Sequence, residues 1–149
     1  IAPIEELEEE IKIEKTEPAE NYKLLLAEDN PVNQMVAAEF LREAGHEVLL
    51  ADNGRQALKV LNENPDLDAV LMDIQMPEMD GIEVTRRIRS YRTKCPPDLP
   101  IIALTAYAMP EEREKFESEG MDAHIPKPLI YEDLDRQVRE AVHKKRTEI

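Results

Sequence analysis

Five short apolar runs alternate along the chain with longer segments in which apolar residues recur at helical spacing. The runs lack the strict apolar–polar alternation of a strand that has one face in water, so both faces are expected to be buried. We therefore predict five strands, at residues 23–27, 47–51, 69–72, 101–104 and 123–125.

Each strand is followed by a segment with helical periodicity, and we predict helices at residues 31–44, 55–61, 81–89, 111–119 and 132–143. Four apolar residues of the first helix recur at helical spacing and are expected to share one face: Val32, Met35, Val36 and Phe40. Gly45 is expected to cap that helix. In the fourth helix Phe116 is the one strong apolar anchor, so its local stability is expected to be low.

This alternation predicts parallel strands joined by right-handed helical crossovers. A doubly wound α/β fold buries such strands under helices on both faces. The 149 residues fit one domain with an appendage, and 42% hydrophobic residues are enough for a core.

The chain carries a net charge of −14, which argues against a nucleic-acid surface and against contact with an anionic membrane. Divalent cations or basic partner surfaces suit such a chain better. Cys95 is the one cysteine, so no intrachain disulfide can form. A reducing compartment is favoured, and we expect a cytoplasmic location. No run of about 18 apolar residues is present to span a membrane.

The first 20 residues hold eight Glu and two Lys and differ in composition from the rest. We interpret residues 1–21 as an acidic linker or the end of an upstream helix, residues 22–145 as the folded domain, and residues 146–149 as a tail. Because the sequence begins with Ile1, we expect it to be part of a longer chain. The remainder of that chain could contain a membrane anchor.

Polar residues follow the predicted strands where each strand ends. Glu28 and Asp29 follow the first strand, Asp73 ends the third, Thr105 follows the fourth and Lys127 follows the fifth. Ligands of such sheets bind outside the carboxyl ends of the strands, so these side chains are expected to lie together. Each residue alone also fits a helix cap, a turn or a solvated surface, but their coincidence at one edge favours a site.

Three carboxylates at close range raise each other's pKa unless a cation lies between them. Oxygen ligands of this kind suit Mg²⁺, which prefers one or two carboxylates together with water and phosphate oxygens. A carboxylate such as Asp73 can then attack a phosphoryl group and form an aspartyl phosphate. Lys127 would neutralise charge on the phosphoryl oxygens, and Thr105 would donate a hydrogen bond to one of them.

The chain from residue 22 to about 144 resembles a response-regulator receiver domain of two-component signalling. The segments that carry this resemblance are LLLAEDNPVNQ at 24–34, VLMDIQMPEMDG at 70–81, IIALTA at 101–106 and IPKP at 125–128. The resemblance implies a flavodoxin-like fold with strand order 2-1-3-4-5 and five helices.

The resemblance also implies a role for each site residue. Asp73 matches the phosphoacceptor and a metal ligand. Asp29 matches the direct Mg²⁺ ligand, Glu28 a ligand that acts through water, and Gln75 a ligand through its backbone carbonyl. Mn²⁺ is expected to substitute for Mg²⁺.

Three further residues match the part of the family site that senses the phosphoryl group. Lys127 matches the phosphate-binding lysine, and its peptide bond to Pro128 is expected to be cis. Thr105 matches the switch hydroxyl. His124 stands where many relatives carry Tyr or Phe, so this switch departs from the common pattern and includes a group that can titrate.

The implied function is acceptance of a phosphoryl group from a phosphohistidine, with relay of the signal by a conformational switch. The expected partners are a histidine kinase domain or a histidine phosphotransfer protein, and the expected parent is a hybrid histidine kinase. A freestanding single-domain response regulator is the alternative. The isolated domain would catalyse only its own phosphorylation and dephosphorylation, as a monomer or weak dimer.

Two other classes fit the sequence less well. A Mg²⁺-dependent phosphohydrolase of the aspartyl-phosphate type usually has a second Asp two residues after the nucleophile, where this chain has Gln75. A binding module that no longer accepts phosphoryl groups should have lost Asp73, Asp29 or Lys127, and all three are present.

Overall fold

A five-stranded parallel sheet forms the centre of the fold. A computed structural model describes residues 20–106 and 109–147 of the chain. The strands are β1 (Lys23–Ala27), β2 (Glu47–Ala51), β3 (Ala69–Asp73), β4 (Ile101–Thr105) and β5 (Ala123–Pro126). Their order, β2-β1-β3-β4-β5, confirms the predicted flavodoxin-like topology. Residues 1–19 of the predicted acidic segment lie outside the described residues.

The helices are α1 (Pro31–Glu43), α2 (Gly54–Glu63), α3 (Gly81–Arg89), α4 (Pro110–Ser118) and α5 (Tyr131–Thr147). Three of them begin at a side chain that accepts backbone N–H groups of the first turn: Asn30, Asn53 and Asp80. Each such cap stabilises its helix by about 1 kcal/mol. Gly45 follows α1 with φ of +99°, a conformation that favours glycine. Helix α5 continues to Thr147, past the predicted end at residue 143.

Alternate residues of the strands point into two apolar layers. Leu25 and Val70 pack beneath α2, α3 and α4, whereas Leu24 and Leu71 pack beneath α1 and α5. All four side chains are fully buried, and each contributes about 1.5–3 kcal/mol by its burial. The strand ends are therefore held by a core on both sides of the sheet.

Helix α1 buries a different face from the one that carries Val32 and Met35. Val32 and Met35 are each 62% exposed, and the residues that face the sheet are Ala37, Ala38 and Leu41. The two small alanine side chains let the helix backbone lie close to the sheet. Val32 and Met35 lie on the side of the helix that faces solvent.

Helix α4 is held by few apolar contacts. Phe116 is its one buried residue among those described, and Met109 caps the helix without a side-chain hydrogen bond. The low local stability expected from the sequence stays a prediction. Across the described parts of the chain, no helix is both long enough and apolar enough to cross a bilayer.

The two ends of the described fold meet at the amino edge of the sheet. Arg146 in the last turn of α5 forms an ion pair with Glu20 at 3.0 Å, and its guanidinium lies over the ring of Tyr22. The buried His46 ring stacks on Tyr22, accepts its backbone N–H at Nδ1, and lies 2.6 Å from Asp135 through Nε2. The Nδ1 contact places the ring proton on Nε2, facing the carboxylate.

Candidate active site

The carboxyl ends of β1, β3 and β4 open on a cleft of about 530 Å³. Six of the seven predicted site residues line it: Glu28, Asp29, Asp73, Gln75, Thr105 and Lys127. The start of α1 completes the wall with Asn30, Pro31 and Asn33. The seventh predicted residue, His124, does not line the cleft.

Lys127 joins the two buried carboxylates of the cleft. Its Nζ lies 2.9 Å from Asp73 Oδ2 and 3.0 Å from Glu28 Oε2. The side chains of Asp73 and Glu28 are 3% and 2% exposed, whereas that of Lys127 is 23% exposed. The lysine thus reaches in from the cleft rim, and its backbone N–H is fixed by a hydrogen bond to the Thr105 carbonyl at 2.8 Å.

Burial raises the pKa of Asp73 to about 7, and the neighbouring Glu28 carboxyl adds to this shift. Lys127 opposes it by hydrogen bonding. For Glu28, burial acts to raise the pKa, but hydrogen bonds from Asp73, Lys127 and Asn33 outweigh burial and hold the pKa below its ordinary value. Of the two carboxyl groups, Asp73 is therefore the one that holds a proton more readily.

Three carboxylates of the cleft fit a divalent cation. Oxygens of Glu28, Asp29 and Asp73 all lie within 4.8 Å of one another, and Asp29 is exposed at the open side. Hard oxygen ligands of this number suit Mg²⁺. A cation held here would favour the ionised form of Asp73, which is the nucleophilic form.

The loop after β3 is held against the end of that strand, where Asp73 lies. The Asp73 side chain accepts the backbone N–H of Gln75 at 3.0 Å, and the Gly81 N–H donates to the Ile74 carbonyl at 3.2 Å. A side chain at position 81 would overlap the carbonyl oxygen of Asp73. Glycine is therefore needed where α3 begins, because the helix backbone passes so close to β3.

Thr105 and His124 lie on neighbouring strands and share one face of the sheet. Thr105 is 2% exposed at the end of β4, and His124 pairs with Ala103, two residues earlier in that strand. Burial lowers the pKa of His124, and the positive charge of Arg113 lowers it further. The negative charge of Glu117 acts to raise this pKa but does not outweigh the other two effects. The ring is therefore neutral at neutral pH, which limits the titration expected from the sequence to acidic conditions.

Two amides on the first turn of α1 contact Glu28, and neither contact was predicted from the sequence. Asn33 donates to the Glu28 carboxylate, and Gln34 donates to the Glu28 carbonyl. The sequence does contain a signal for these contacts. Both residues follow the capping Asn30 within about one helical turn, and helical side chains tilt towards the N-terminus, where the acidic loop lies. The Lys127–Pro128 peptide is cis, as expected from the resemblance.

Residues 24–139 match the family model of the response regulator receiver domain. The chain is 37% identical over 133 residues to hybrid signal transduction histidine kinase I of Dictyostelium discoideum, covering 84% of this chain and 8% of that protein. It is 38% identical over 117 residues to sensor histidine kinase GacS of Pseudomonas protegens, covering 78% and 13%. The chain thus spans only a small part of the length of these relatives.

The fold is also similar to solved receiver structures. The receiver domain of sensor histidine kinase PA1611 from Pseudomonas aeruginosa, with magnesium coordinated in its active-site cleft, matches with a TM-score of 0.72 at 37% identity. That match covers 83% of this chain and 99% of the other. CheY4 of Vibrio cholerae matches with a TM-score of 0.73 at 26% identity, covering 82% and 99%. Fold, cleft and sequence agree, and the chain belongs to the response regulator receiver domain family.

Proposed function

We propose that this chain accepts a phosphoryl group from a phosphohistidine onto Asp73, in a reaction that depends on Mg²⁺. The observation that carries the proposal is the Lys127 ammonium, 2.9 Å from the buried Asp73 carboxylate, in a cleft with two further carboxylates. An acidic cluster alone suits a cation. The added lysine supplies a second positive group that can contact a phosphoryl oxygen beside the nucleophile.

In the proposed step, an Asp73 oxygen forms a bond to phosphorus as the phosphorus–nitrogen bond of the donor breaks. The electron pair leaves with the imidazole nitrogen, and the ring departs as neutral imidazole because its other nitrogen carries a proton taken up from solvent. Lys127 neutralises charge on the phosphoryl oxygens, and the Thr105 hydroxyl donates to one of them. Bound Mg²⁺ would be held by Asp29, Asp73, the Gln75 carbonyl and, through water, Glu28, and would supply positive charge to the phosphoryl group.

We further propose that the chain works within a hybrid histidine kinase and exchanges phosphoryl groups with a histidine kinase domain or a histidine phosphotransfer protein. The names of the curated relatives at 37% and 38% identity support this context. A cytoplasmic location and a monomer or weak dimer go with it. Mn²⁺ is proposed to replace Mg²⁺, since both accept the same oxygen ligands.

The proposed function is tested with acetyl phosphate and intact-mass measurement. We expect the protein to gain the mass of one phosphoryl group in the presence of Mg²⁺, and no gain in excess chelator. Beryllofluoride binding, read by NMR, covers the case in which the adduct hydrolyses faster than it can be measured. A protein that neither gains mass nor binds beryllofluoride would contradict the proposal.

Three exposed apolar side chains lie on the two segments that follow β1 and β5 and that also supply residues to the cleft wall. Val32 and Met35 on α1, and Ile130 after β5, are each 62% exposed. A protein donor must bring its imidazole within bonding distance of Asp73, so its surface must approach these two segments. We propose that the three side chains contact the donor surface around the phosphohistidine, where apolar burial would stabilise the encounter.

Met35→Glu is expected to slow transfer from a phosphorylated histidine phosphotransfer protein about tenfold, the equivalent of about 1.4 kcal/mol. The rate with acetyl phosphate should stay unchanged, because Met35 does not line the cleft that a small donor enters. Tyr91→Glu is a matched control, since Tyr91 is 78% exposed at the far end of α3. Equal losses with both donors would place Met35 in the folding of the cleft and not in docking.

A further inference from the structure

The carboxylate of Glu28 is held from two sides by different kinds of donor. Asn33 Nδ2 donates to Oε1 at 3.2 Å, and Lys127 Nζ donates to Oε2 at 3.0 Å. A carboxylate only accepts hydrogen bonds, so the amide must present its NH₂ group here. Lys127 Nζ also lies 3.4 Å from Oε1, and Asp73 is a further hydrogen-bond partner, so several contacts restrain a carboxylate that is 2% exposed.

The two donors are not equivalent once a phosphoryl group arrives. Lys127 also contacts Asp73 at 2.9 Å, and in the proposed function its ammonium turns to the phosphoryl oxygens. The amide of Asn33 is carried by α1, whereas Lys127 directly follows β5, so the two donors belong to different parts of the chain. The Asn33 contact can therefore persist while the lysine contact changes.

The backbone of Glu28 is held by the next residue of the same helical turn. Gln34 Nε2 lies 3.2 Å from the Glu28 carbonyl, 3.1 Å from the Ala51 carbonyl and 2.9 Å from Asp52 Oδ1. The Glu28 N–H donates to the same Ala51 carbonyl at 3.0 Å. With the backbone fixed, the orientation of the Glu28 carboxylate depends on its side-chain partners.

We propose that Asn33 is a positioning residue, which holds the Glu28 carboxylate in the orientation needed to bind Mg²⁺ through water. This inference rests on the proposed function, because it assigns Glu28 to the metal site. Without the amide, the carboxylate is free to turn towards Lys127, which competes with the cation for it. Partners of this kind, one step removed from a metal, typically change its affinity by 10- to 100-fold.

The test is a calorimetric Mg²⁺ titration of the wild-type protein, Asn33→Ala and Asn33→Leu. Both variants lack the donor, and we expect the Mg²⁺ Kd to rise about tenfold, at the lower end of the range for such partners. Melting temperatures should stay within about 2 °C of wild type, since the change is at a partly exposed position. Glu39→Gln, at an exposed position on the same helix, serves as the control and should leave Kd unchanged.

A double-mutant cycle separates positioning from a general structural role. In a Glu28→Ala background, adding Asn33→Ala should change the Mg²⁺ Kd less than about twofold, because the group that it positions is gone. An unchanged Kd in Asn33→Ala, or an equal loss in both backgrounds, would overturn this inference and leave the proposed function standing. Failure of the wild-type protein to bind Mg²⁺ would overturn both.

Discussion

Asp73→Asn is expected to abolish phosphoryl acceptance, both from acetyl phosphate and from a protein donor. The amide has nearly the shape of the carboxylate but lacks its nucleophilic oxygen. Intact-mass measurement in saturating Mg²⁺ should therefore show no adduct, while the wild-type protein gains one phosphoryl group. An adduct that forms on this variant at the wild-type rate would place the phosphoacceptor elsewhere and remove the basis of the proposal.

The same variant reports on the raised pKa of Asp73, which burial brings to about 7. A carboxyl with a higher pKa in the folded state contributes stability below its ordinary pKa of 3.8, and that contribution is lost as the pH rises to about 7. Asparagine does not ionise. In metal-free buffer, Asp73→Asn should therefore gain more melting temperature relative to wild type at pH 8 than at pH 5. A difference that is the same at both pH values would contradict the raised pKa.

Lys127→Ala is expected to slow phosphorylation by acetyl phosphate about 100-fold at saturating Mg²⁺, the cost of removing one preorganised donor from a reacting group. The loss arises because no other described side chain places a positive charge within 4 Å of the Asp73 carboxylate. The Lys127 hydrogen bond opposes the effect of burial on the pKa of Asp73. Its loss would therefore raise that pKa and reduce the ionised fraction of Asp73. The measurement is the rate of adduct formation by intact mass.

Lys127→Arg provides the matched control for this change. It keeps a positive charge but replaces a compact ammonium with a planar fork, so a smaller loss than in Lys127→Ala is expected. Equal losses in the two variants would show that ammonium geometry matters more than charge. A Lys127→Ala rate within twofold of wild type would contradict the role proposed for this residue.

The strands, and the edge of the sheet that carries the site, could be predicted from the sequence. Both depend on the order of apolar and polar residues within short segments. Apolar runs such as 69–72 predict strands that are buried on both faces. Asp73 directly follows this run, so it must lie at the carboxyl edge of the sheet. Parallel pairing brings the ends of β1, β3 and β4 together without any knowledge of side-chain packing. The meeting of Glu28, Asp73 and Lys127 follows from that topology.

The parts that could not be predicted depend on packing and on coupled charges. Val32 and Ala37 of α1 are both apolar, and the helical pattern alone does not say that the smaller residue faces the sheet. The position of the proton shared by Glu28 and Asp73 depends on how deeply each is buried and on the reach of Lys127. The contact of Asn33 with Glu28 likewise needs the direction in which α1 leaves the acidic loop.

The ion pair between Glu20 and Arg146 brings the beginning and the end of the described fold to one place. That place is the amino edge of the sheet, whereas the cleft lies at the carboxyl edge. A domain with adjacent ends can be joined to other polypeptides in front or behind, or inserted into a loop, without distortion. Because both connections leave from the far edge, such rearrangements would keep the reactive edge open, which makes the fold a portable unit in the assembly of larger signalling chains.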